Sequence, residues 1–509
     1  MQRITPHQPQ PLFDTAATRR IEAAAAAGLP PHSLMQRAGR ATARLALALA
    51  PHARQVWMAC GGGNNGGDGL EAAMLLHRAG HAVTVTWLGT PGSLPADARE
   101  SWQRALDAGV HFAAEPPPLG AQDLCVDALL GIGLTAQPRP HTPDPRLLAW
   151  LDHMQQSPAA TLCVDLPSGL IADTGQWAPG FEALAAMPRG PRHTLSLLTL
   201  KPGLFTGHGR DAAGSVWHDD LGVDSSAGQP TAWLSGAPAL ARRPHASHKG
   251  SHGDVAVIGG QGLAASGMGM TGAAILAANA ALHAGAGRVL LALLDDGASA
   301  ALPAWPELML RRVQALQLAQ GAVVCGCGGG QTVAAVLPDV LRQASRLVLD
   351  ADALNAIALD PNLQALLKQR GQQADRATIL TPHPLEAARL LGGTAAAVQA
   401  DRLAAAQALA ERFQCTVLLK GSGSIIAAPG RAPHINPTGN ALLATGGTGD
   451  VLAGLAGARL AAAHSSDAAA AFDAAAQACW QHGAVADACP AGQALTAGRL
   501  AQSLTPGSA

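Results

Sequence analysis

The chain has 509 residues, too many for one ordinary hydrophobic core, and its 48% apolar and 14% charged residues are the balance of a folded α/β protein without disordered tracts. A formal net charge of −1 with no charged run offers no electrostatic footprint for nucleic acid or an anionic membrane, so neither is expected as a partner. The amino terminus lacks the apolar core of a signal peptide and the alanine-rich runs are broken by charge, which predicts a cytoplasmic protein without a membrane span; a homo-oligomer is compatible with this composition.

In chain order, strand-like runs at residues 55–59, 83–88, 123–130, 161–166 and 195–200 alternate with alanine-rich helical stretches such as 71–78. That alternation predicts a Rossmann-like, doubly wound parallel sheet. The first strand empties into residues 60–69, Cys-Gly-Gly-Gly-Asn-Asn-Gly-Gly-Asp-Gly, a turn of the kind that holds pyrophosphates. Asn64, Asn65 and Asp68 add oxygens that a plain phosphate cradle does not need, which points to a cation or a polar substrate edge. Later strands end in Asp127-Ala-Leu-Leu-Gly, Asp165-Leu-Pro-Ser-Gly and Lys201-Pro-Gly, so two carboxylates converge on one cleft, suited to acid–base work or to a cation. The alternative role for Asp127 and Asp165 is turn initiation before glycine and proline.

Residues 225–246 carry Ser, Gly, Pro and Arg without apolar spacing, which places a linker at 229–247 between domains 1–228 and 248–509. Beyond it, apolar runs at 346–349, 377–380 and 416–419 empty into Asp350-Ala-Asp-Ala-Leu-Asn, Thr381-Pro-His-Pro-Leu-Glu and Lys420-Gly-Ser-Gly-Ser. In a parallel sheet these loops face a single cleft. Residues 436–450, Asn-Pro-Thr-Gly-Asn-Ala-Leu-Leu-Ala-Thr-Gly-Gly-Thr-Gly-Asp, run into a helix-like segment at 451–463. Gly446, Gly447 and Gly449 let N–H groups at a helix start converge on an anion, and Asp450 among them is placed to accept a proton from a substrate hydroxyl; its other role is a helix cap. The eight cysteines form no C-x-x-C pair and read as reduced thiols, and Cys325-Gly-Cys327, with no histidine nearby, is not expected to hold a metal.

The ordered loops of the first half resemble the NAD(P)H-hydrate epimerase family over roughly residues 10–225. Those of the second half, with residues 248–260 (His-Lys-Gly-Ser-His-Gly-Asp-Val-Ala-Val-Ile-Gly-Gly), resemble the ADP/ATP-dependent NAD(P)H-hydrate dehydratases of the ribokinase-like superfamily over roughly 245–505. The joint resemblance implies one chain that interconverts the R and S forms of hydrated NADH or NADPH and dehydrates the S form at the expense of ADP or ATP. It implies epimerase substrate contacts at Asn64, Asn65, Gly66, Gly67, Asp68, Gly131, Ile132, Gly133, Leu134, Thr135, Ala136, Gln137 and Asp165, with Asp165 catalytic and a potassium ion on Asn65, Asp127 and Ser168. For the dehydratase it implies substrate contacts at Ala273, Gly328, His383 and Asp450, and nucleotide with Mg2+ at Lys420, Gly421, Ser422, Gly423, Ser424, Gly447, Thr448 and Gly449. Asp450 would take the proton of the C6 hydroxyl during its phosphorylation.

Three departures from the family pattern stand out: Gly62 where proline is frequent, Cys-Gly-Cys-Gly-Gly-Gly at 325–330 in place of Gly-Pro-Gly-Leu-Gly, and a longer turn at 261–266. Each lost proline predicts a looser loop with its chemistry intact. The rival reading is a ribokinase-like small-molecule kinase fused to a non-catalytic Rossmann-like binding module.

Overall fold

The computed structural model describes residues 1–137, 142–226, 228–239, 243–263, 267–294 and 305–506. Two compact units divide the chain, one of Met1–Thr5 with Gln10–Trp233 and one of Pro6–Pro9 with Leu234–Ala509. The division therefore falls between Trp233 and Leu234, inside the stretch expected as a linker, and that stretch is not irregular throughout, because Ala232–Leu234 is a strand. Residues 240–242 of the linker and 264–266 of the longer turn lie outside the described residues.

The first unit is built on an eight-stranded sheet in the order Gln2–Arg3, Ser215–Asp219, Arg192–Leu197, Ala160–Val164, Leu124–Ala128, Val56–Cys60, Val83–Trp87, His111–Ala113. All neighbours are parallel except the pair formed by Gln2–Arg3 and Ser215–Asp219. Val56–Cys60 is buried at every position, because helices cover both faces and a strand wet on neither side needs no polar alternation. The winding direction reverses between Val56–Cys60 and Leu124–Ala128, and at such a reversal the loops diverge and leave a crevice beyond the strand ends.

The second unit repeats this winding with different loops. Its strands lie in the order Met309–Leu310, Arg288–Leu293, Asp254–Gly259, Ala322–Cys325, Arg346–Leu349, Ala377–Leu380, Thr416–Leu419, Ile425–Ala428, Arg431–Ile435. They are parallel up to Thr416–Leu419, and the last two fold back antiparallel. The helix Thr448–Ala461 is buried along almost its whole length and crosses Thr271–His283 so closely that a Cβ on Gly454 would lie 1.9 Å from the carbonyl oxygen of Ala277. Alanine and glycine on both helices permit that approach, and it fixes the helix whose first turn carries Asp450. Among the described residues no helix is long and apolar enough to cross a membrane.

Candidate active sites

In the first unit the strand Val56–Cys60 turns at Gly61–Gly63 into the helix Asn64–Arg78. Gly66 and Gly67 serve packing here: a Cβ on Gly66 would stand 1.9 Å from the carbonyl oxygen of Gly61, and one on Gly67 would stand 2.6 Å from Met35 Sδ. Asn64, Asn65 and Asp68 line a cavity of 510 Å3 together with Gly131, Ile132, Gly133 and Asp165. Leu134 is buried in the core, and Thr135, Ala136 and Gln137 are exposed on the loop beyond, so the structure brings together only the first part of that expected contact segment.

The carboxylates sit in unlike surroundings. Asp127 is buried; its Oδ1 accepts from Ser168 Oγ at 2.6 Å and from the N–H of Leu129 at 3.3 Å, and its Oδ2 accepts from the N–H of Ser168 at 2.9 Å. Burial raises its pKa, and the bonds to Ser168 pull it partly back. Asp165 holds a left-handed backbone, φ 66°, a strained conformation for a side-chain-bearing residue and of the kind that clusters at functional sites. Its Oδ1 accepts from the N–H of Leu197 at 3.1 Å and from the buried ammonium of Lys201, which also donates to the carbonyl oxygens of Leu197 at 2.7 Å and Thr199 at 2.9 Å. Lys201 and Glu22, neither among the expected site residues, line the same cavity. Burial pushes the pKa of Asp68 well up, and the neighbouring charges of Asp165 and Glu22 push it further. Asn65 is the odd member: both of its side-chain atoms, Oδ1 and Nδ2, are buried without a hydrogen-bond partner.

In the second unit three strand ends supply one cluster. Asp350 closes Arg346–Leu349, Thr381 closes Ala377–Leu380 and Lys420 closes Thr416–Leu419. Asp350 Oδ1 accepts from Lys420 Nζ at 2.7 Å and from Thr381 Oγ1 at 2.7 Å. Single ligand atoms of Cys327, Asp350 and Asp450 lie within 4.8 Å of one another, and the Cys327 thiol donates to Asp350 Oδ2 at 3.9 Å. The cysteine excluded from metal binding by its sequence neighbours thus stands beside two carboxylates remote in sequence. Burial and those two carboxylates drive its pKa well up, so it stays a neutral thiol. Burial and the charge of Asp350 push Asp450 up to about 6.

Glycine shapes the start of the helix that carries Asp450. Gly447 takes φ 91° and caps the helix Thr448–Ala461, and a Cβ on Gly449 would lie 3.5 Å from Lys420 Nζ, so the helix start and the ammonium face one space. Thr448 Oγ1 turns inward to the carbonyl oxygens of Leu443 at 2.8 Å and Thr445 at 2.9 Å, and His482 Nε2 reaches the Thr448 carbonyl at 2.9 Å. Burial lowers the pKa of His482 to about 4, so its ring is neutral and donates to that carbonyl. The loop 420–424 joins two antiparallel strands and rests on Arg402, buried beneath it, whose guanidinium reaches the carbonyl oxygens of Lys420 and Gly423. Ser424 Oγ closes the turn on Gly421. Gly326, Gly328 and Gly330 all have positive φ, which favours glycine at those three positions of 325–330, and a Cβ on Gly328 would lie 2.9 Å from that of Ala273.

His383 has a structural task. Its Nδ1 accepts the N–H groups of Leu385 at 3.1 Å and Glu386 at 3.3 Å, and Glu386 Oε2 accepts the N–H of His383 at 2.8 Å, a reciprocal cap on Pro384–Leu391. His383→Ala is expected to cost about 1 kcal/mol in urea unfolding, as cap removal does. His383→Asn keeps a capping side chain and is expected to retain most of that stability. Slow dehydration in a stable His383→Asn would assign the ring to substrate as well.

Residues 31–203 match the family model described as YjeF-related protein N-terminus, and residues 255–506 match the one described as NAD(P)H-hydrate dehydratase. The bifunctional NAD(P)H-hydrate repair enzyme Nnr of Escherichia coli (strain K12) is 38% identical over 92% of this chain and 87% of its own. The ADP-dependent (S)-NAD(P)H-hydrate dehydratase of Neisseria meningitidis serogroup B is 40% identical over 52% of this chain and 86% of its own. A solved structure, the ADP/ATP-dependent NAD(P)H-hydrate dehydratase of Bacillus subtilis co-crystallised with ATP/Mg2+, is 28% identical over 52% of this chain and 91% of that one, with a TM-score of 0.42.

Proposed function

Because the chain belongs to the family of bifunctional NAD(P)H-hydrate repair enzymes, an epimerase and an ADP-dependent dehydratase in one polypeptide, we propose that the two clusters just described are its two catalytic centres. The observation that carries the dehydratase assignment is Asp450 in the first turn of a helix whose start faces Lys420. A carboxylate in an anion site opposes binding unless it has a second task, and accepting a hydroxyl proton is that task.

Asp450 takes the proton of the C6 hydroxyl as that oxygen attacks the terminal phosphoryl group of ADP. The bond to the leaving AMP oxygen breaks. N–H groups at Gly447, Thr448 and Gly449, with the Lys420 ammonium, stabilise the charge on the transferred group. The C6–O bond then breaks with loss of the C5 proton, releasing inorganic phosphate and reduced nicotinamide, because phosphate leaves far more readily than hydroxide. Magnesium carried by the nucleotide fits the oxygens of Asp350 and Asp450 and not the neutral Cys327 thiol, and it would offset phosphate charge. Lys420, Gly421, Ser422, Gly423 and Ser424 form the nucleotide loop, shaped by Arg402 below. Stoichiometric analysis tests the sequence of steps: one AMP and one phosphate per reduced nicotinamide are expected, and a phosphorylated nicotinamide product that accumulates would contradict it.

In the epimerase centre Asp165 removes and returns the proton during inversion, held in place by the hydrogen bond from Lys201. Potassium fits the partnerless Asn65 side chain together with Asp127 and Ser168, since mixed neutral and singly charged oxygens suit a large monovalent ion, and it would lower the cost of burying Asp127 as an anion. Asp127→Ala is therefore expected to slow R-to-S conversion severely while leaving dehydration of pre-formed S hydrate unchanged. Wild-type epimerisation is expected to fall when potassium is exchanged for a bulky organic cation. Equal rates in both buffers would remove the ion from the site.

A further inference from the structure

The dehydratase unit holds a second cavity, of 680 Å3, that the chemistry above does not use. It lies at the far end of the helix whose first turn carries Asp450, walled by Arg459 and Ala462, by Asp467 and Asp473 around the start of Ala468–Asp487, and by Arg243 and His252.

Two guanidiniums and two carboxylates share its wall, and the guanidiniums are the pair that sits side by side, on the neighbouring carbonyl oxygens of Ala284 and Gly285. Arg459 is 7% exposed and donates to the carbonyl oxygens of Thr505 at 2.9 Å and Pro506 at 3.2 Å and to Gln481, while its Nε is buried without an acceptor. Arg243 donates to the carbonyl oxygen of Gly285. Among the described residues neither guanidinium is within ion-pair distance of a carboxylate. Of the wall carboxylates, Asp473 faces Arg431 at 3.9 Å, and Asp467 caps the helix Ala468–Asp487 by accepting the N–H of Ala470 at 2.8 Å, which leaves its charge in place. Burial lowers the pKa of Arg459, and the charge of Arg243 lowers it further, so the two cations sense each other.

We propose that this cavity binds a small phosphate-bearing anion, with Arg243 as its contact residue and the charge of Arg459 behind it. A phosphate dianion neutralises two neighbouring cations where a carboxylate neutralises one, and a guanidinium fork matches its oxygens. The assignment does not rest on the reading of either catalytic centre.

Calorimetric titration of inorganic phosphate into the full chain, at constant ionic strength, tests it. Any phosphate bound at the nucleotide loop is common to wild type and variants, so the readout is the difference between them. Arg243→Gln is expected to weaken one binding phase at least about tenfold, the scale of a lost charge-assisted pair, and Arg243→Lys to fall between the two. Dehydration without added phosphate is expected to be the same in all three. Superimposable isotherms for wild type and Arg243→Gln, or an equal response to acetate and phosphate, would overturn the proposal.

Discussion

Asp450→Asn is expected to lower dehydration of the S hydrate by roughly two to four orders of magnitude, the range that removal of a general base produces. The amide keeps the size of the side chain and loses its basicity, so the effect falls on turnover. Nucleotide affinity holds or rises, because a negative charge leaves the phosphate site. The carboxylate also sets a pH dependence. It must be ionised to act, and burial beside Asp350 holds it at about 6, so wild-type dehydration is expected to fall as pH drops through that value. The sign for stability is opposite. The folded state binds this proton more tightly than the unfolded chain, so the ionised carboxylate destabilises the fold above about 6, and the penalty vanishes once pH falls below the ordinary aspartate range. Asp450→Asn is accordingly expected to melt higher than wild type at neutral pH and to lose that advantage in acid. A variant that binds nucleotide poorly, turns over normally and melts lower would make Asp450 a helix cap.

The second large effect belongs to the other centre. Asp165→Asn is expected to reduce R-to-S conversion by roughly two to four orders of magnitude and to leave dehydration of supplied S hydrate untouched. Lys201→Met provides the control for position. It removes the ammonium that holds Asp165 and strands a carboxylate against the carbonyl oxygens of Leu197 and Thr199, so epimerisation falls with it. NMR exchange between the two epimers, measured without nucleotide, separates these rates from dehydration. Wild-type epimerisation in Asp165→Asn would return the residue to a turn-forming role.

The strands that feed the dehydratase cleft were legible to the residue, at Arg346–Leu349, Ala377–Leu380 and Thr416–Leu419, because strands buried on both faces read as unbroken apolar runs. The helix expected near residues 71–78 begins much earlier, at Asn64. Glycine has low helix propensity and hides such a start, while close packing of Gly66 against Gly61 demands it. The helix that carries Asp450 likewise starts at Thr448, inside the glycine-rich loop, so Asp450 belongs to its first turn. Lys201 was visible only as the end of a strand-like run, since nothing local marks it as the partner of Asp165. Arg402 carried no signal at all: an arginine on a helix normally reads as solvent-facing, and only the fold puts this one beneath the loop 420–424. Cys327 was weighed against its sequence neighbours, whereas Asp350 and Asp450 reach it from other strand and helix ends.

Pure R hydrate of NADH separates this account from every reading with one working domain. Incubated with the full chain, potassium, magnesium and ADP, it is expected to recover the absorbance of reduced nicotinamide completely. Asp165→Asn slows that recovery to the uncatalysed rate of epimerisation, and Asp450→Asn stops it with S hydrate accumulating. Recovery by the wild-type chain no faster than uncatalysed epimerisation, or no recovery at all, would contradict a chain that performs both steps.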